Sequence, residues 1–199
     1  MTVSTPTPRL DIPRLAWAAY GFALVVIVLD QLTKAWLLSA TGVSDIAVIP
    51  DGYVFHVVLP GVLKFSLVRN EGVSFGLFGG GEARWLLSMF SIAVAAGLAW
   101  WATTANRRLL ITAIGLVIGG ALGNAIDRVR FGYVVDFLDF SSVLWPRIPV
   151  LTFLEGRHVF PWVFNVADSA ITVGVILLIL DSILSERKPQ PVGAAHEKA

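Results

Sequence analysis

Four long apolar segments constrain the fold most strongly, because a helix needs about 20 mostly apolar residues to cross a bilayer. The chain has 199 residues, of which 56% are hydrophobic and only 15% are charged. This balance is far from that of a soluble domain. The sequence therefore predicts an integral membrane protein with transmembrane helices at about residues 15–38, 85–104, 109–126 and 164–184.

The connections between these segments differ greatly in length. Only ANRRL, with Arg107 and Arg108, separates the second segment from the third. Basic residues are dense in this turn and beside both tails, so the positive-inside rule predicts that the turn and both termini are cytoplasmic. In a single membrane domain over 1–199, the connections 40–83 and 127–163 then face outward, and the polar tail 185–199 faces inward.

The outer connections carry two different patterns. In the first, YVFHVVLPGVLKFSLVRN (53–70) alternates β-branched or aromatic residues with polar ones around a Pro-Gly turn, which predicts a small outer β-element. In the second, LWPRIPVLTFLEGRHVFPW (144–162) is rich in tryptophan and proline, which suits a segment on the membrane interface. The predicted fold class is therefore an α-helical membrane protein with a small outer β-element.

Several classes of function are disfavoured. A net charge of +1 argues against a nucleic-acid partner, and the absence of cysteine excludes disulfides and cysteine metal sites. The sequence has no metal-binding or nucleotide-binding motif, so we expect neither a metal nor a cofactor. The stretch GVSFG (72–76) fits the nucleophile-elbow pattern, but it lies in an outer loop, and a serine nucleophile is not expected.

Ionisable side chains near the ends of the apolar segments need an explanation, since each costs about 2.5 to 3.5 kcal/mol inside a membrane. Asp30 and Lys34 are four residues apart in the favourable order for a helical ion pair, which predicts an anchor for the outer end of the first helix. Asn124, Asp127 and Arg128 share neighbouring helix faces, which predicts a bonded polar cluster that braces a site.

The fourth segment opens with a second polar group. Asn165 is placed as an N-cap, and Asp168 falls in the first turn, where the helix dipole favours a negative charge. Capping alone would explain both residues. However, all the unusual carboxylates except Asp181 are predicted at the level of the outer leaflet. Such a layer favours chemistry on a membrane-anchored substrate, whereas a proton-coupled carrier needs polar groups along a path. A non-enzymatic assembly protein is the third alternative.

Five motifs follow one another along the chain, and they are DQLTK (30–34), RNEGVSFGLF (69–78), GGALGNAIDRV (119–129), YVVDF (133–137) and FNVADS (164–169). In this order and setting they resemble the motifs of bacterial lipoprotein signal peptidase, or signal peptidase II. The resemblance implies a bacterial inner-membrane aspartic endopeptidase with its active site at the outer face. Such an enzyme cuts diacylglyceryl-modified prolipoproteins before the lipidated cysteine, without a cofactor. Its expected partners are these substrates and membrane lipid, and a monomer is expected.

The resemblance also implies roles for individual residues. Asp136 and Asp168 would form the catalytic pair, and Asp139 on the same stretch has no partner motif. We therefore predict that Asp139 faces solvent and is dispensable for cleavage. The stretch 139–163 is longer than the resemblance implies. The implied supporting residues are Asn70, Asn124, Asp127, Arg128, Asn165, Asp30 and Lys34.

Overall fold

The computed structural model describes residues 13–40, 42, 48–72, 82–140 and 162–186. In this part of the chain, four helices are long and apolar enough to cross a membrane. This confirms the predicted fold class. The helices are α1 Arg14–Ala40, α2 Glu82–Ala102, α3 Arg108–Phe131 and α4 Val166–Glu186, and the strands are β1 Tyr53–Leu59, β2 Leu63–Asn70, β3 Val134–Asp139 and β4 Val163–Phe164.

Helix α3 is the centre of the bundle, and the other three helices pack around it. Most of its residues are buried, whereas α1, α2 and α4 bury only a small share of theirs and present a largely apolar exterior. Glycines allow the close approach that membrane helices use in place of a hydrophobic driving force. A Cβ on Gly115 would lie 2.6 Å from the Ala19 carbonyl oxygen of α1, and a Cβ on Gly120 would meet the Ala167 carbonyl oxygen of α4.

The four strands form one antiparallel sheet in the order β1-β2-β3-β4. Strand β3 follows α3 almost directly, because Gly132 ends the helix in the left-handed region at φ 89° and donates its N–H to the Arg128 carbonyl. The sheet lies against the end of α1, where the ring of Trp36 meets that of Phe65 at 6.3 Å between centroids. We call this end of the bundle the sheet end.

The sheet and helix α3 differ from the prediction. The β-element is predicted within 40–83 alone, whereas β3 and β4 come from the second long connection. These strands pair with residues distant in sequence, which local alternation cannot reveal. Helix α3 also continues past the predicted end at 126, because the polar side chain of Asp127 is satisfied by α1 rather than by water. Apart from Gly72 and Trp162, the stretches 72–76 and 144–162 lie outside the described residues.

Candidate active site

The structure brings the predicted site residues together at the sheet end, although they come from five elements and the β4–α4 connection. Asp136 is in the middle of β3, and Asp168 lies in the first turn of α4. Asn70 ends β2, and Asn165 lies between β4 and α4. Helix α3 supplies Asn124, Asp127 and Arg128, and α1 supplies Asp30 and Lys34.

Asn165 links the two aspartates. Its side-chain Oδ1 accepts the backbone N–H of Asp168 at 2.8 Å, which is the predicted N-cap. The Asp168 carboxylate in turn accepts the backbone N–H of Asn165 at 3.4 Å. The side-chain NH₂ of Asn165 donates to Asp136 Oδ1 at 2.7 Å and to Asn124 Oδ1 at 3.2 Å. The cap of α4 is therefore also a direct connection to β3.

Each carboxylate also accepts a hydrogen bond from a further asparagine. Asn70 Nδ2 donates to Asp136 Oδ2 at 2.9 Å, and Asn124 Nδ2 donates to Asp168 Oδ1 at 2.7 Å. Asp136 is fully buried, whereas Asp168 is half-buried. The burial of Asp136, followed by the charge of Asp168, raises the pKa of Asp136 to about 7. The pair can therefore hold one proton near neutral pH.

A second cluster lies behind this pair. The Lys34 ammonium contacts Asp30 at 2.8 Å and Asp127 at 2.7 Å, and all three side chains are at most 3% exposed. The ion pair of Asp30 and Lys34 is as predicted, but Asp127 is an additional partner. Sequence reasoning assigned no role to Gln31, whose side-chain NH₂ donates to Asp127 Oδ1 at 2.8 Å. The available signal for Gln31 in the sequence is an amide side chain next to Asp30 in an otherwise apolar helix.

The predicted cluster on α3 is only partly correct. Asn124 and Asp127 are hydrogen-bonded, but their partners are on other elements. Arg128 is half-buried, and its Nε has no hydrogen-bond partner. Its guanidinium lies beside Gly72, where a Cβ would come within 3.4 Å of Nη2. Arg128 therefore adds positive charge beside the carboxylates rather than a bond to its helix neighbours.

The prediction that Asp139 faces solvent is wrong. Its side chain is buried, accepts a hydrogen bond from Ser66 Oγ at 2.7 Å and contacts Lys64 Nζ at 3.4 Å. Lys64 and Asp139 are partners in the β2–β3 register, so the pairing of two distant strands produces this contact. The sequence of β3 alone cannot show which residue of the neighbouring strand lies opposite Asp139. Asp139 therefore belongs to the packing of the sheet.

A cavity of about 300 Å³ runs from these polar groups between α2, α3 and α4. Its walls are apolar and include Phe90, Val94, Val117 and Ile171, and Asn124 and Arg128 also line it. Among the residues that the structure describes, no group of three or more His, Asp or Glu side chains is suited to holding a metal ion. The site offers carboxylates, amides and a guanidinium beside an apolar cavity.

Comparison with known proteins gives the family. The family model described as signal peptidase (SPase) II matches residues 22–184. The chain belongs to the signal peptidase II family. This confirms the resemblance carried by the five motifs, and the family makes the chain a multi-pass membrane protease.

Individual relatives in the signal peptidase II family agree over nearly the whole chain. The lipoprotein signal peptidase of Caulobacter vibrioides is 48% identical over 181 residues, which cover 90% of this chain and 94% of that protein. That of Pseudomonas putida is 38% identical over 184 residues, covering 90% and 93%. A solved structure of a bacterial membrane enzyme superposes with a TM-score of 0.64 at 29% identity, covering 88% of this chain and 94% of that one.

Proposed function

We propose that this protein is an aspartic endopeptidase that removes signal peptides from diacylglyceryl-modified prolipoproteins, with Asp136 and Asp168 as its catalytic pair. The observation that carries this proposal is the bridge between the two carboxylates. A single amide, that of Asn165, contacts Asp136 and caps the helix turn that bears Asp168. The names of the relatives, lipoprotein signal peptidases, support the substrate class.

The chemistry follows from the different surroundings of the two carboxylates. Burial raises the pKa of Asp136 to about 7, so in this proposal Asp136 is the proton donor and half-buried Asp168 is the base. Asp168 takes a proton from a water molecule as the water oxygen attacks the peptide carbonyl carbon, and Asp136 donates its proton to the carbonyl oxygen. When the C–N bond of the resulting diol breaks, the proton on Asp168 passes to the leaving amine. A hydroxyl proton of the diol returns to Asp136, and no covalent intermediate forms.

In this proposal Arg128 and Asn124 orient the substrate. Both line the apolar cavity at its polar end, and Asn124 also contacts Asp168. In this proposal the apolar signal peptide occupies the cavity between α2, α3 and α4, and the acyl chains on the cysteine remain in the surrounding lipid. Binding remote from the scissile bond then holds that bond against the carboxylates. Cleavage occurs before the lipidated cysteine.

The orientation in the membrane follows from the distribution of basic residues. Arg14, Arg107 and Arg108 are at the starts of α1 and α3, at the end of the bundle opposite the sheet. By the positive-inside rule this end faces the cytoplasm, with both termini. The sheet end and its carboxylates then lie at the outer, periplasmic face of the bacterial inner membrane. The protein acts as a monomer.

A proton-coupled carrier is the alternative that Asp181 would favour. In the structure, however, Asp181 Oδ2 pairs with Arg107 Nη2 at 2.7 Å, far along α4 from Asp168. The remaining buried carboxylates of the described residues are gathered at the sheet end. This arrangement supports an enzyme rather than a proton path or a non-enzymatic assembly protein.

The test of this function is cleavage of a synthetic prolipoprotein peptide by the purified protein in detergent, with product masses to locate the cut. The diacylglyceryl-modified peptide should be cut before its modified cysteine, and the unmodified peptide should not be cut. Asp181→Asn should cleave at the wild-type rate, because Asp181 stabilises only the cytoplasmic end. Equal cleavage of both peptides, or dependence on Asp181, would contradict the proposal.

A further inference from the structure

The buried ionic cluster of Asp30, Lys34 and Asp127, which we call the ionic clamp, also accepts a backbone N–H from β3 and one from α4. Anchoring of α1 does not require these two hydrogen bonds. We propose that the clamp sets the spacing of Asp136 and Asp168, because it holds the backbone N–H beside each of them. Lys34, which joins the two halves of the clamp, is the positioning residue. This inference rests on the proposed function, since it assigns a task to the clamp in that same site.

One half of the clamp holds strand β3. Asp127 Oδ2 accepts the backbone N–H of Val135 at 3.1 Å, and both groups are buried. Val135 immediately precedes Asp136, and Asp127 lies eight residues earlier on α3. A hydrogen bond from a buried N–H to a charged acceptor is stronger than one between neutral groups. This bond therefore fixes the position of the strand at the peptide adjoining Asp136.

The other half holds the start of α4. Asp30 Oδ1 accepts the backbone N–H of Ala167 at 3.0 Å, across 137 residues of sequence. Ala167 immediately precedes Asp168, and its N–H belongs to the first turn, where helices lack internal hydrogen-bond partners. Asn165 caps the next N–H, that of Asp168. Two side chains from different parts of the fold therefore fix the position of this turn along and around the axis of α4.

Lys34 makes the two halves one unit. Its ammonium lies 2.8 Å from Asp30 Oδ2 and 2.7 Å from Asp127 Oδ2, in a site where all three side chains are buried. Removing one partner from a buried ionic group leaves an uncompensated charge, which the surroundings must move to relieve. Gln31 supports the same unit, since its NH₂ donates to Asp127 Oδ1 and to Asp30 Oδ2. Loss of the Lys34 charge should therefore release both backbone contacts together.

Close packing makes the clamp sensitive to small changes. A Cβ on Gly123 of α3 would lie 2.9 Å from Asp30 Oδ2 and 3.3 Å from the Ala167 Cβ. The carboxylate of Asp30 can therefore pack this closely against α3 only because residue 123 is a glycine. Interiors packed in this way transmit displacements rather than absorb them. A shift of the clamp should therefore displace both Asp136 and Asp168.

The test compares Lys34→Met, Asp127→Asn and the double variant with the wild-type enzyme. Lys34→Met should lower kcat about 100-fold, the effect of roughly 1 Å of misplacement, and should leave KM within about threefold. Because both residues act through one unit, the double variant should be no slower than Lys34→Met alone. Asp127→Asn keeps an oxygen for Val135 and provides a milder variant if Lys34→Met folds poorly.

The pH profile separates positioning from a merely structural role. The charged groups around Asp136 are Asp168 on α4, Arg128 on α3 and Lys34 on α1. The positive charge of Lys34 lowers the pKa of Asp136, so its removal should raise that pKa. In Lys34→Met, the residual activity should therefore decline at a higher pH than in the wild type. A general loss of stability would not shift the pH at which activity declines.

A measurement without catalysis tests the clamp independently of the proposed function. The natural chain has no cysteine, so spin labels on Val54→Cys of β1 and Val173→Cys of α4 report the distance between sheet and helix. Lys34→Met should shift or broaden the distance distribution. An unchanged distribution, wild-type kcat, or a raised KM with normal kcat would overturn the clamp. If the wild-type enzyme fails to cleave while Lys34→Met still alters the distance, the proposed function fails and the clamp's structural role stands.

Discussion

The side-chain NH₂ of Asn165 donates to Asp136 Oδ1 at 2.7 Å, so the residue that caps α4 also contacts the buried carboxylate of β3. Replacing Asn165 with serine keeps a capping oxygen but removes the donor that reaches Asp136. Asn165→Ser should be about 1 kcal/mol more stable than Asn165→Ala, since serine is a good N-cap. Both variants should lose about 100-fold in kcat, the cost of misplaced reacting groups.

Unfolding in detergent and single-turnover cleavage measure these two effects separately. The comparison isolates the bridge from the cap, because only alanine lacks both functions. Wild-type kcat in Asn165→Ser would mean that the cap suffices and that the bond to Asp136 has no part in the reaction.

The raised pKa of Asp136 predicts the pH dependence of the reaction. The general acid must be protonated, so kcat/KM should fall about tenfold per pH unit above about pH 7. The same shift affects stability. Between its ordinary value of 3.8 and about 7, the folded protein binds a proton that the unfolded chain has released. Stability from this group is therefore present at low pH and decreases as pH rises through that window.

Profiles of kcat/KM and of unfolding from pH 5 to pH 9 check both statements. The matched control is Asp136→Asn, whose unfolding should lose this dependence on pH. Activity that rises steadily to pH 9 would show that no protonated carboxyl takes part.

The contact between Gly120 of α3 and Ala167 of α4 predicts a packing effect on the site. An alanine Cβ at position 120 would meet the Ala167 carbonyl oxygen and lie 2.6 Å from Ile171 Cγ1. The first turn of α4 would have to move, and Asp168 would move with it. Gly120→Ala should therefore cost about 1 to 3 kcal/mol of stability and most of the activity.

Gly97→Ala on α2 is the control for this substitution, because nothing lies within 4 Å of its Cβ. That variant should cleave normally and be as stable as the wild type or slightly more so. Thermal unfolding in detergent and the cleavage assay compare the two. Normal activity in Gly120→Ala would show that the position of α4 is not critical.

Substitution of Asp139 should have the opposite combination of effects, a small loss of stability with unchanged cleavage. The buried carboxylate of Asp139 contacts Ser66 and Lys64 of β2. Asp139→Asn keeps an oxygen for the Ser66 hydroxyl and loses the partly exposed ion pair, at a cost of about 1 kcal/mol or less. Cleavage should be unchanged within the assay's precision, and urea unfolding should show the small loss. A large loss of kcat would give Asp139 a role in the site.

Much of the fold could be predicted because its signals are local. The length and hydropathy of each apolar segment identify its helix, and Pro60 with Gly61 marks the turn between β1 and β2. Strands β3 and β4 could not be predicted in this way. Their pairing with each other and with β2 depends on contacts between residues that are distant in the sequence, as at Lys64 and Asp139.

The same distinction applies to the site. The N-cap of Asn165 and the ion pair of Asp30 with Lys34 span three and four residues, so spacing reveals them. The bonds from Asp30 to Ala167 and from Asn70 to Asp136 cross 137 and 66 residues. No periodicity specifies those contacts. Packing of α1, α3 and α4 produces the first, and the pairing of β2 with β3 produces the second. The sequence therefore indicates which polar residues are unusual but not which of them bond.

The central claim is that Asp136 and Asp168 together perform the reaction, and asparagine at each position tests it most directly. Asp139→Asn on the same strand β3 is the matched control, since it makes the identical change at another buried carboxylate. Cleavage of a diacylglyceryl-modified prolipoprotein peptide should be undetectable with Asp136→Asn and with Asp168→Asn, and normal with Asp139→Asn. Full activity in either of the first two folded variants would contradict the account.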